Sequence, residues 1–330
     1  MIISKTPLRI SFAGGGTDLP SFYRNNDYGA VFSSSIDKYI YVTVKDHCGL
    51  YPERIRLNYS ETEQVNSIEE IENPIIRECL KFLELDERLY ISTVADAPGS
   101  SGLGSSSSFC VGLLHALYEY KGERVNRARL AEEAAHIEID VLGRTIGRQD
   151  QYAAAFGGLN YIKFENSDST TITPVHNNRQ AVETIFENML TFWTGIQRAS
   201  HDILSEQDKR SANNVNSLTH MRDQAGLLLE LANSGELTPE KLGNTLHNGW
   251  LLKQDLAPSI TNKQISAAYE AAISAGALGG KLLGAGGGGF LNLVVIEDRK
   301  EAVKDIMSSM SLTHFPIRHG TQGTSVFHLH

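Results

Sequence analysis

Cysteine is scarce: the 330-residue chain has three, Cys48, Cys79 and Cys110, scattered and odd in number. No Cys-x-x-Cys pair and no Cys/His metal spacing occurs. That argues against a disulfide framework or a zinc site, and free thiols in a reducing compartment are the economical reading. Long apolar runs are also missing. Even LVVI at 293–296 is far too short to span a bilayer. The opening MIISKTPLRISF lacks the apolar core of a secretory signal. Positive charge is in deficit, with 30 Lys and Arg against 39 Asp and Glu and a net charge of -9. Nucleic acid and anionic membrane both reward a basic surface, so neither is expected as a partner. Any phosphate binding must then be local. What remains is a cytoplasmic protein with small-molecule ligands. Its 41% hydrophobic content is ample for one large domain or two intimate ones.

The pattern along the chain mixes strands and helices. Residues 1–12 alternate, and 36–45 do so more clearly, with Ile36, Ile40, Val42 and Val44 on one parity and Tyr39, Tyr41 and Thr43 on the other. Further strands are expected near 54–59, 89–95 and 157–164, with helices over 67–84, 106–121, 127–141 and 147–156. The second half predicts a strand at 188–195 and helices over 199–232, 238–254 and 261–275. A strand, turn and strand follow over 276–296, then a helix at 298–311 and short strands near 314–318 and 324–329. A division into residues 1–180 and 181–330 is expected.

Three glycine-rich segments stand out: AGGGTD (13–18), PGSSGLGSSSS (98–108) and GAGGGGF (284–290). The second lies between a strand pattern and a helix pattern. Glycine lets backbone approach a ligand closely, and a helix N-terminus offers unpaired amides and partial positive charge. Its serines add hydroxyls for phosphate or a hard cation. The alternative is an ordinary loop whose serines cap the helix. A Walker A loop is excluded, because GALGGKL (276–282) has the wrong spacing and no Ser/Thr. A literal GxGxxG at Gly284, Gly286 and Gly289 precedes a strand pattern, which defeats a dinucleotide fingerprint and suggests a tight hairpin.

In this order the segments resemble the three motifs of the GHMP kinases: PLRISFAGGGTDLP (7–20), PGSSGLGSSSS and KLLGAGGGGF (281–290). The likeness spans nearly the full length. FAGGGTDLPSFY and GRQDQYAAAFGGLNYI resemble the sugar-1-kinase branch, most of all the heptose 7-phosphate kinases, which phosphorylate an anomeric hydroxyl. The resemblance implies an α+β fold: an N-terminal domain like ribosomal protein S5 domain 2, a C-terminal split βαβ (ferredoxin-like) domain, and ATP between them.

It also implies roles. Pro98, Gly99, Ser100, Ser101, Gly102, Leu103, Gly104, Ser105, Ser106 and Ser107 would wrap the triphosphate of ATP. Ser106 and Glu138 would hold Mg2+, with Glu132 and Glu133 as nearby competitors to Glu138. Asp150, twelve positions after Glu138, would accept or orient the hydroxyl proton. The bland reading of Asp150 is a first-turn carboxylate favoured by the helix dipole. Arg9 would stabilise charge in transfer; its bland reading is a surface ion pair. Gly14, Gly15, Gly16, Thr17, Asp18, Gly286 and Gly287 would face the sugar. Gly15 and Gly16 stand where galactokinases carry Glu and His, which disfavours galactose and leaves room for a larger sugar. Arg198 is the first choice for a sugar phosphate, with Arg24, Arg148 and Lys163 competing. A phosphosugar and ATP are the expected partners, compatible with a homodimer. The alternatives are a kinase for a fucose-like or other unphosphorylated sugar, and a non-catalytic sensor of sugar and ATP. His136, His201 and His247 need no catalytic role, and Trp193 and Trp250 read as core.

Overall fold

The alternating patterns near the start of the chain become its longest strands. In the computed structural model, which describes residues 1–175, 178–197 and 200–329, β1 (Ile2–Ala13) and β2 (Tyr28–Asp46) pair antiparallel from Ile2 opposite Val44 to Ala13 opposite Phe32. Ile40, Val42 and Val44 are buried and Tyr39, Tyr41 and Thr43 only partly so, as the period of two requires. The register slips between Pro7 and Arg9 and again between Ser11 and Ala13. Such irregularities re-aim side chains, and here they flank Arg9.

The first sheet continues with β3 (Ile55–Asn58), β4 (Thr62–Val65), β5 (Leu89–Ala95), β6 (Leu159–Glu165) and β7 (Thr170–Pro174). The short helix α1 (Pro20–Tyr23) follows the first glycine segment. The helix expected over 67–84 begins only at Pro74, as α2 (Pro74–Phe82). A residue before proline avoids the helical region, and Asn73 in that position caps the amides of Ile75 and Ile76 instead. Helix α3 (Ser105–Tyr120) lies over β1 and β2. Next comes α4 (Arg127–Ala135), which runs on as a π-helix over His136–Val141, and then α5 (Gln149–Phe156).

Helix α6 (Arg179–Glu187) leads into a second sheet of β8 (Met189–Trp193), β9 (Gly279–Leu282), β10 (Phe290–Val294) and β11 (Thr313–His314). Its order is β11-β8-β10-β9 and all pairs are antiparallel. This is the split βαβ arrangement. Between β8 and β9 lie α7 (Ser200–Lys209), α8 (Val215–Ser234), α9 (Pro239–Gln254) and α10 (Lys263–Ser274), and α11 (Lys300–Ser309) follows β10. The helix expected over 199–232 breaks at the turn Ser211–Asn213, where Ser and Asn side chains favour turns over helix.

The division at residue 180 meets a difference. The last strand, β12 (Ser325–His328), leaves the second half and pairs with β1, from Ile2 opposite His328 to Lys5 opposite Ser325. It covers the edge of the first sheet, whose order is β12-β1-β2-β5-β3-β4, with β6 also on β2. Helix α8 joins the two cores: Leu218 and Met221 pack with Trp250 and Tyr269, while Ala225, Leu228 and Ala232 pack with the core of the first sheet. Among the described residues no helix is long and apolar enough to cross a membrane. The cysteines are free, Cys79 and Cys110 buried with sulfurs 3.9 Å apart.

Candidate active site

A cleft of about 380 Å³ opens where the three glycine segments meet. Its floor is the start of α3. The residue before that helix, Gly104, has φ 76° and ψ 24°, the left-handed region that favours glycine, and no side chain caps the helix. The first-turn residues Ser105, Ser106 and Ser107 line the cleft, with Ser100, Ser101 and Gly102 beside them. The Oγ atoms of Ser101 and Ser105 are buried without a partner, the condition of a cradle awaiting acceptor oxygens. Pro98, Gly99 and Leu103 are not on the cleft wall. The Gly99 carbonyl accepts from Gln197, and Leu103 is buried, its carbonyl accepting the Arg9 amide.

The second and third glycine segments touch backbone to backbone. A Cβ on Gly284 would lie 2.4 Å from the Gly102 Cα, and one on Gly102 would lie 2.6 Å from the Leu283 carbonyl oxygen. The turn between β9 and β10 is thus a hairpin that braces the loop before α3, and glycine is what permits the approach.

Glu138 sits in the π-helical turn, a distortion that often marks functional sites. It is fully buried. Its carboxylate accepts from Ser106 Oγ (2.6 Å), Ser107 Oγ (2.6 Å) and Gln151 Nε2 (2.7 Å), and pairs with Arg144 at 3.0 Å. Arg144 also donates to Ser106 Oγ at 2.7 Å. Its guanidinium balances a charge that burial would otherwise make costly. Glu133 lies elsewhere, paired with Arg129 and accepting from Tyr118, and Glu132 lines a separate surface pocket.

Arg9 and Asp150 meet from opposite ends of the first half. Arg9 Nε donates to Asp150 Oδ1 and Arg9 Nη2 to Oδ2, each at 2.7 Å, a bidentate fork. Arg9 Nη1 donates to the Gly102 carbonyl at 2.6 Å. Arg9 is buried, so this is not a surface ion pair. Asp150 also stands in the first turn of α5, as the dipole argument expects. A Cβ on Gly104 would lie 3.3 Å from Asp150 Oδ2, which puts the carboxylate against the helix start that would carry phosphate.

Asp18 lies behind this pair. It is buried and accepts from the amides of Gly16 (3.0 Å) and Gln149 (3.2 Å) and from Gln149 Nε2 (3.0 Å). Burial, then the nearby Asp150 charge, push its pKa up, while these amides pull it down. Gly15 and Gly16 line the cleft. Gly14 and Thr17 do not: the Thr17 hydroxyl is spent on the Gly14 and Ala30 carbonyls, which fixes the turn. Gly286 and Gly287 also lie off the wall, the Gly287 amide donating to the Ile260 carbonyl.

The candidates for a sugar phosphate do not gather here. Arg198 lies outside the described residues. Arg24 and Arg148 hold Asp168 at another pocket, and Lys163 pairs with Glu165. His136 and His247 contact Asp140 and Tyr269, and nothing is described of the His201 side chain. Trp250 is core.

Several cleft residues escaped the sequence reading: Arg144, Gln149, Gln207, Lys253 and Lys281. Lys281 opens the motif KLLGAGGGGF and Gln149 adjoins Asp150, so both carried a local signal. Lys253, in the last turn of α9, lies outside the three glycine segments and carried no local signal.

Comparison with known proteins agrees with this geometry. Residues 73–158 match the GHMP kinases N terminal domain and residues 229–311 the GHMP kinases C terminal domain, together more than half of the chain. The D-glycero-alpha-D-manno-heptose 7-phosphate kinase of Campylobacter jejuni is 28% identical over 316 residues, 91% of each chain. The galactokinase of Pyrococcus furiosus is 23% identical over 353 residues, covering 95% of this chain and 94% of its own. A crystal structure of a D-glycero-D-manno-heptose 1-phosphate kinase from Bacteriodes thetaiotaomicron superposes over 100% of both chains, with a TM-score of 0.81 and 25% identity. Both halves of one family's fold are present here and in the family's order, and the glycine- and serine-rich start of α3 lies within the first of them: the chain belongs to the GHMP kinases, phosphotransferases that use ATP.

Proposed function

We propose that this kinase phosphorylates the anomeric C1 hydroxyl of D-glycero-D-manno-heptose 7-phosphate, giving the 1,7-bisphosphate for nucleotide-activated heptose synthesis. The observation that carries the reading is the Arg9–Asp150 fork, set between the start of α3 and the buried Asp18. Phosphoryl transfer asks mainly for positioning and charge neutralisation. An acceptor hydroxyl placed at Asp150 faces the loop of Ser100–Ser107, and Asp150 accepts or orients its proton. Arg9 fixes the carboxylate rotamer through its two parallel N–H donors. Asp18, held by amides, is placed to accept from further sugar hydroxyls. The glycines at 15 and 16 leave space that a seven-carbon sugar fills. The sugar itself is suggested by the Campylobacter jejuni relative, named a heptose 7-phosphate kinase.

Mg2+ fits the donors present. Ser106 Oγ and the Glu138 carboxylate are hard oxygen ligands 2.6 Å apart, and Mg2+ takes few protein ligands, leaving positions for phosphate and water. The ion would supply neutralisation of the phosphate charge.

Phosphorus NMR of the protein with ATP, Mg2+ and a panel of sugars tests the reading. A new anomeric phosphate signal is expected with heptose 7-phosphate. With Asp150→Asn the signal should grow about 10²–10⁴ times more slowly, while ATP affinity stays within a few-fold. A signal only with unphosphorylated sugars would remove heptose 7-phosphate and keep the kinase. Undiminished turnover in Asp150→Asn would remove Asp150 from the chemistry.

A further inference from the structure

The cleft wall contributed by the second half carries a charge that the first half does not balance. Lys253 is 4% exposed and Lys281 is 6% exposed. Lysine is almost never so buried unless paired. Arg9, the other buried cation of the cleft, is paired with Asp150. Among the described residues neither lysine has a carboxylate at ion-pair distance. Each ammonium reaches only a backbone carbonyl, Lys253 that of Gly284 and Lys281 that of Phe12 at 3.3 Å. An ammonium has three N–H donors, so donors remain on both. Burial first, then neighbouring positive charge from Arg9, drive Lys253 down to about 8, and burial with Lys253 and Arg9 drives Lys281 well below its ordinary value. Among the described residues Asp18 is the acid that acts on both, and it is already engaged by Gly16 and Gln149.

Two buried lysines without a carboxylate partner among the described residues make a site that an anion would complete, its charge restoring theirs. The triphosphate does not need it, because its side of the cleft has the open start of α3, the serine hydroxyls and Arg144. Lys281 reaches the Phe12 carbonyl just before the first glycine segment, and the Asp18 charge acts on both lysines, which puts them toward the acceptor, with Lys253 also reaching Gly284. Gln207 stands on that same side, 2% exposed, its Nε2 donor unpartnered and directed at Gly16. A phosphate monoester carries about two negative charges and three acceptor oxygens, which two ammoniums and an amide match.

We infer that Lys253 and Lys281, with Gln207 Nε2, form the seat for the acceptor's own phosphate, so that this cleft selects sugar phosphates over free sugars. The inference rests on the phosphosugar reading above and names the groups that execute it.

The test measures kcat/KM for heptose 7-phosphate and for the same heptose without its phosphate, in the wild type, Lys253→Met and Lys281→Met. The wild type should prefer the phosphorylated acceptor. In each variant that preference should fall about 10- to 100-fold, the loss of a charged hydrogen bond, and it should fall through KM for the acceptor. Calorimetric binding of heptose 7-phosphate without ATP should weaken by the same factor, a readout independent of turnover. If the variants lose equally on both acceptors, or keep the preference, the lysines serve another group and the inference is overturned. A wild type that turns over both acceptors alike overturns the phosphosugar reading itself, before any variant is compared.

Discussion

Buried charge at single residues sets how this cleft responds to pH. Lys253 has a folded pKa of about 8, against 10.5 when free of the fold, because burial penalises the ammonium. Between those values the unfolded chain holds a proton that the folded one has released, so unfolding free energy rises with pH across that window. Below about pH 8 both states are protonated and the burial penalty acts in full. Lys253→Met removes the charge and keeps most of the volume. The variant should therefore melt above the wild type at pH 7, with the gap closing as pH rises toward 10. Scanning calorimetry of the pair across that range checks the sign. A gap independent of pH would mean that the Lys253 charge is not desolvated in the empty cleft. Glu138 makes the opposite choice: its charge is matched by Arg144 and three neutral donors.

Elements position these residues through contacts between distant loops. Strand β5 matches the 89–95 expected, and α3 differs by one residue at each end, since a serine-rich start and a buried apolar run are local signals. The pairing of Glu138 with Ser106 followed from motif likeness, but its π-helical turn did not, because one inserted residue barely alters an apolar period. Nor could local pattern show that Gly284 presses on Gly102, a contact 182 positions apart that exists only once both sheets are in place. The short β4 and β7 and helix α6 also went unread, being brief or edge elements whose packing partners lie elsewhere in the chain. Gly284→Ala tests the loop contact. The residue has φ 70° and its new Cβ would collide with the Gly102 backbone. The substitution should destabilise by about 1–3 kcal/mol from backbone strain. It should also raise KM for ATP, because the loop before α3 must shift. Urea denaturation and initial rates measure the two effects. A normal KM with the expected destabilisation would show that the hairpin supports the fold without setting the phosphate loop.

At the scale of the whole molecule, the two halves are laced by the end of the chain. After β11 the backbone crosses to the first sheet, where Ser35 Oγ donates to the Gly320 carbonyl and the Thr324 amide donates to the Ala154 carbonyl at 3.0 Å. Thr324 Oγ1 contacts both Thr6 Oγ1 and His115 Nδ1, and β12 then covers β1. These contacts hold β1, which carries Arg9, and α5, which carries Asp150, yet no residue beyond 285 lines the cleft. Ending the chain at residue 318 should therefore abolish turnover without touching the site. It bares the β1 edge, orphans the buried hydroxyl of Thr6 and frees α5 from its brace, each costing about 1–3 kcal/mol against a total stability of about 5–15 kcal/mol. Helix α8, packed into both cores, transmits the loss, so the intact chain should unfold in urea as one transition by tryptophan fluorescence (Trp193 and Trp250, in the second half) and by circular dichroism alike. Two separated transitions, with the fluorescence change confined to one, would show instead that the halves are thermodynamically independent and that the final strand is a local clasp.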